Sequence, residues 1–111
     1  MRKTLFLTIT SNLPGSVFVT DPENTGYTFK YRQRSIINFF KYNQRTDTIS
    51  GYIQINNLKR VGIDIKQYLE FDPAQLTKKG NIKLALLSDN QLNQIVDFIC
   101  VHTKNSNRIN N

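Results

Sequence analysis

Between Tyr27 and Arg45 the chain places aromatic residues and cations and nothing acidic, and this combination limits both the fold and the chemistry open to it. Six aromatics (Tyr27, Phe29, Tyr31, Phe39, Phe40, Tyr42) and five cations (Lys30, Arg32, Arg34, Lys41, Arg45) occupy the stretch without one Asp or Glu. At its start the two residue types alternate. Tyr27, Phe29 and Tyr31 fall on one face of an extended chain, and Thr28, Lys30 and Arg32 on the other. The alternation predicts a strand over 27–32. Its rings either present a stacking platform or, as is commoner for alternating aromatics, form the core face. In both cases the basic face points outward and attracts phosphate.

Elsewhere the period switches. Leu5, Leu7 and Ile9 alternate with Phe6 and threonines, which predicts a strand over 3–11. Turn chemistry at Asn12-Leu13-Pro14-Gly15 and over 21–26 brackets a short strand, Val17 to Thr20. These three strands read as a meander of antiparallel hairpins. Ser35 is placed to N-cap a short helix from Ile36 to Tyr42. From Thr48 to Asn56, Ile49, Gly51, Ile53 and Ile55 turn inward while Ser50, Tyr52 and Gln54 turn outward. Residues 58–71 fit helix and strand equally, with Gly62 counting against the helix. Ile82, Leu84 and Leu86 alternate as a last strand. Ser88 or Asp89 then caps a helix with Leu92, Ile95, Val96 and Ile99 at i, i+3, i+4 and i+7. The sum is an α+β fold: one small domain over 1–103, mainly an antiparallel sheet of about five strands with two or three helices, followed by a flexible polar tail, 104–111. An open barrel of the oligonucleotide-binding (OB) type has a similar element order and is the alternative.

Composition narrows the function. The 111 residues make one ordinary domain with a formal net charge of +7. Arg2 and Lys3 precede an apolar run as in a secretory leader, but Thr4, Thr8 and Thr10 interrupt it, so a strand is the better reading. A lone Cys100 cannot form an internal disulfide, and no window approaches the roughly twenty apolar residues of a membrane span. A cytoplasmic setting follows, or a host-cell interior if the protein is viral. The Asn- and Ile-rich, Ala-poor composition points to an AT-rich phage, plasmid or viral genome. With one histidine, His102, and one cysteine, neither a zinc site nor a supported Cys-His pair can be assembled. Scattered glycines form no phosphate loop, and no cofactor is expected. Asp64-x-Lys66 on an apolar strand, with Asp47 earlier, resembles the pattern of a Mg²⁺-dependent nuclease of restriction type. Because that triplet is common by chance, a solvated face is the preferred reading.

The run GYIQINNLKRVGIDIKQYL, Gly51 to Leu69, resembles the segment after the histidine motif in rolling-circle replication initiators of circular single-stranded DNA viruses. LFLTITSNLP near the start is similar to the first strand motif of that family, and Asp97-Phe98 falls where its tyrosine motif would lie. The paired metal-binding histidines would precede Gly51, where this chain has Thr48-Ile49-Ser50, and Phe98 stands at the nucleophilic tyrosine. The resemblance implies the fold and DNA binding, with nicking chemistry lost.

The expected function is therefore non-enzymatic nucleic-acid binding. Lys30, Arg32, Arg34, Lys41 and Arg45 would neutralise phosphates, Tyr31 or Tyr42 would stack on a base, and Lys59 and Arg60 would extend the track. DNA and RNA, single and double strand, stay open at this stage. The alternative is a small interaction module, such as a phage- or plasmid-encoded inhibitor or assembly subunit, docking on an acidic protein through the same cations.

Overall fold

In a computed structural model that describes residues 2–15, 17–20 and 26–109, with side chains described as far as Thr103, the alternating aromatics form a strand, β2 (Tyr27–Tyr31), and their rings face the core. Phe29 and Tyr31 are buried, while Lys30 between them is exposed. β2 pairs antiparallel with β1 (Val17–Thr20) and with β3 (Arg34–Asn43). β3 pairs with β4 (Thr48–Ile53), and β4 with the two-residue β5 (Ile82–Lys83). Spatial order equals chain order, β1-β2-β3-β4-β5. The sheet is therefore an open meander with β1 and β5 at its edges, not the closed barrel given as the alternative. Three α-helices complete the α+β fold among the described residues: α1 (Arg2–Asn12), α2 (Ile55–Arg60) and α3 (Asp89–Ile109). The first six residues of the expected 104–111 tail are helical backbone in α3.

Two elements exchange type relative to the sequence expectation, and each has a physical cause. Residues 2–12, expected as a strand, are helix α1. Read with a helical period, Leu5 and Ile9 recur four apart with Phe6 beside them, and these are the residues that meet the core. Phe6 stacks on Phe40 with centroids 4.7 Å apart and planes 17° from parallel, and Tyr27 and Tyr42 flank it. Arg2 fastens the helix start. Its backbone N–H donates to Asp47 Oδ1 (3.0 Å), its Nε to Asp89 Oδ1 (2.7 Å) and its Nη2 to the Leu87 carbonyl (3.0 Å). Packing thus overrides the β-propensity of Thr4, Thr8 and Thr10.

Conversely, 36–42, expected as a Ser35-capped helix, lies in the ten-residue strand β3. β3 gains a residue on its neighbours at two places: between Ser35 and Ile37, where its pairing with β2 slips between Phe29 and Lys30, and between Ile37 and Lys41, where it slips against both β2 (between Tyr27 and Phe29) and β4 (between Asn38 and Lys41). Each β-bulge shifts the inside-outside phase. Ile36, Ile37 and Phe40 are consequently all buried, a spacing of one and three that imitates a helix face. Phe39 takes a φ of 57° at the second slip. Two glycines make room there: a Cβ on Gly26 would lie 2.8 Å from the Phe39 carbonyl carbon, and one on Gly51 would lie 2.8 Å from the Asn38 oxygen.

The ambiguous stretch 58–71 resolves into the end of α2 and a 3-10 turn at Ile65–Gln67, and Asp64-x-Lys66 lies at that turn instead of on a strand. The expected strand over 82–86 is cut to Ile82–Lys83 by a 3-10 turn, Leu84–Leu86. Ser88, not Asp89, caps α3: its Oγ accepts from the Gln91 N–H (3.1 Å), and Gln91 Oε1 accepts from the Ser88 N–H (3.1 Å). Leu92, Ile95, Val96 and Ile99 are buried as their spacing requires.

The β2–β3 hairpin closes through Arg32 and Gln33, whose φ values of 51° and 68° are both positive, the pattern of a type I′ turn. Asn-Gly suits that geometry far better, since left-handed backbone costs other residues roughly 1–2 kcal/mol. Replacing Arg32-Gln33 by Asn-Gly is expected to stabilise the domain by about 1 kcal/mol, read as a higher urea midpoint at constant slope. An unchanged midpoint would mean the turn relaxes without cost.

Candidate nucleic-acid interface

All three helices contribute apolar residues to one core cluster with Phe29, Ile37, Phe40, Ile49 and Ile53 of the sheet. Register assigns the residues of the opposite face. Phe18 of β1 pairs with Lys30 of β2, Lys30 with Ser35 of β3, Asn38 with Tyr52 of β4, Tyr52 with Lys83 of β5, and Lys41 with Ser50. Directly paired residues point to the same side, and none of these is in the core cluster. Large apolar side chains here stay exposed: Phe18 at 73%, Phe39 at 49% and Tyr52 at 40% of their full accessibility. Among the described residues no strand contains an Asp or Glu. The second sheet face is an array of rings and lysines.

A cleft of about 530 Å³ opens on this face, lined by Phe39, Lys41, Ser50, Gly51, Tyr52, Lys83, Ala85 and Leu86. The Phe39 and Tyr52 rings meet edge to face, 6.3 Å apart and 89° to each other. The bulge that breaks the alternation of β3 thus also turns Phe39 outward.

The residues expected from sequence divide between this face and other places. Lys30 and Lys41 belong to it. Arg32 and Arg34 are exposed at the hairpin tip, the Arg32 guanidinium 5.2 Å from the centre of the Tyr31 ring. Arg45 is exposed in the turn beyond the far end of β3. A ten-residue strand spans about 30 Å, so the five cations of 27–45 do not form one patch. Lys59 and Arg60 are exposed in the last turn of α2, where cations favour the helix dipole. Tyr31, expected to stack on a base, is buried at 3% exposure and takes the core role. Tyr42 is also on the core side. It is half-buried, and its hydroxyl donates to Asp47 Oδ1 (2.5 Å). That bond pushes the Tyr42 pKa up and, together with the Arg2 backbone N–H, holds the Asp47 carboxyl below its ordinary value against the opposing effect of burial.

Sequence reasoning missed Phe18, Phe39, Tyr52 and Lys83. Tyr52 had a signal, because the alternation of 48–56 turns it outward. Phe39 had none, since its direction depends on a bulge. The remaining chemistry is sparse: among the described residues no three His, Cys, Asp or Glu side chains gather to hold a metal ion, and no helix is long and apolar enough to cross a membrane.

Fold and surface together define a small α+β domain whose antiparallel sheet is covered by helices on one side and carries rings and lysines on the other. No protein-family model, curated protein or solved structure matches the chain.

Proposed function

We propose that this protein is a non-enzymatic nucleic-acid-binding domain that binds through the helix-free face of its sheet. The observation that carries this reading is the placement of Lys30, Lys41 and Lys83 among exposed aromatics on a sheet whose strands, among the described residues, hold no acidic residue. Lysines supply counterion release on contact with phosphates, and rings supply stacking surface. Arg32 and Arg34 extend the positive field at the hairpin tip.

Fluorescence anisotropy with labelled DNA and RNA across a salt series tests the reading. Affinity is expected to fall steeply with salt. Lys30→Ala/Lys41→Ala/Lys83→Ala is expected to flatten the log-log slope by about 2, three phosphates at roughly 0.7 each. A slope unchanged by the triple substitution sinks the assignment of this face. An acidic protein partner is the second reading, favoured by the position of β1 at a sheet edge with Phe18 and Val19 exposed, a site open to strand pairing.

A further inference from the structure

Resting on the nucleic-acid reading, we infer that the Phe39–Tyr52 cleft seats an unpaired base, so that the protein's ligand is single-stranded nucleic acid. Phe39 carries the inference. Its φ of 57° is left-handed backbone, at a bulge position where glycine is the favoured residue. Folding alone would select glycine there, and Phe39 does not repay the strain with burial, since its ring is half exposed. Strain kept at an exposed aromatic marks a functional position.

The surroundings fit a nucleotide. Tyr52 sets its ring perpendicular to that of Phe39, giving a corner with one flat wall for stacking and one edge-on wall. The space of about 530 Å³ falls within the roughly 300–1,000 Å³ of small-ligand clefts. Lys41 and Lys83 line the same cleft and are placed to meet the backbone phosphates.

A duplex fits less well. Its bases are already stacked and offer only their edges in the grooves, which are read by an inserted helix or ribbon. Among the described residues no helix carries a basic face along its length: α3 has Asp89 and Asp97 and its only cations, Lys104 and Arg108, in its last two turns, α2 has only six residues, and of the two cations of α1, Arg2 and Lys3, at its start, Arg2 is bonded to Asp47 and Asp89. Stacking platforms on positively charged surfaces are how sequence-tolerant single-strand binders work.

The test uses the full chain and a fluorescein-labelled 12-nucleotide strand as DNA, as RNA and as a DNA duplex, with Phe39→Gly and Tyr52→Leu as variants. Either single strand is expected to bind at least about tenfold tighter than the duplex. Phe39→Gly is expected to weaken single-strand binding roughly 5- to 100-fold, while its salt slope stays unchanged and its Tm is equal to or above that of the wild type. A folded Phe39→Gly and Tyr52→Leu that both bind like wild type, or a preference for duplex, overturns the cleft and leaves the basic face standing. Absence of salt-dependent binding to any of the three probes removes both readings.

Discussion

Gly51→Ala should unfold this domain at a temperature about 10–25 °C below the wild type, the shift that a loss of about 3–5 kcal/mol gives in a chain of this size. Two costs combine at this one position. Its φ of 134° is a conformation that residues with a side chain rarely adopt, which contributes roughly 1–3 kcal/mol of strain. The added Cβ would also lie 2.8 Å from the Asn38 carbonyl oxygen, 3.1 Å from the Phe39 oxygen and 3.1 Å from the Phe40 Cα. All three neighbours are backbone atoms of the bulged strand, so no side chain can swing aside, and relief requires β3 and β4 to separate. Gly62→Ala is the internal control. Gly62 also has positive φ, 86°, but a Cβ there meets nothing within 4 Å, so only the conformational cost remains, about 1 kcal/mol. Thermal unfolding of the two variants side by side separates crowding from strain. If Gly51→Ala loses no more than Gly62→Ala, the bulge around Phe39 is not the tightly set feature the distances imply.

That bulge is also why part of the fold was hidden in the sequence. Strands β2 and β4 and the helix α3 were legible because their burial follows an unbroken period: two for Tyr27 to Tyr31 and for Ile49 to Ile53, three and four for Leu92 to Ile99, while β1 was legible from the turn chemistry that brackets it. β3 was illegible because two slips of one residue place Ile36, Ile37 and Phe40 inside together, which a single-period template reads as a helix. The error in α1 is of another kind. Thr4, Thr8 and Thr10 favour a strand locally, and only the aromatic pocket of Phe40, Tyr27 and Tyr42, assembled from residues more than twenty positions away, makes the helix the better state. These two exchanges cancel, so the expected number of strands matches while two segments have traded roles. The site shows the same division. Lys30 and Lys41 were readable from charge and alternation, Tyr31 was a plausible platform that turned out to be core, and Phe39 became visible only with the bulge.

Phe40→Ala is expected to cost about 3–5 kcal/mol, the range for emptying a fully buried phenylalanine site, and to release α1 before the sheet. Phe40 is 1% exposed and central to the aromatic core. Phe6 of α1 stacks on one face of its ring, and Phe29 of β2 meets it edge-on at 5.2 Å and 71°. An eleven-residue helix with three threonines is marginal by itself, so its persistence depends on that contact. The strands keep their ladder after the substitution, because backbone pairing of β3 with β2 and β4 does not involve the ring. Hydrogen exchange read by mass spectrometry should therefore show residues 2–12 losing protection by a larger factor than β3 and β4. Equal loss in helix and sheet would mean that α1 folds as one unit with the sheet. Retained protection in α1 would shift its anchorage to the hydrogen bonds of Arg2 with Asp47, Asp89 and Leu87, and Arg2→Ala would then be the substitution that frees it.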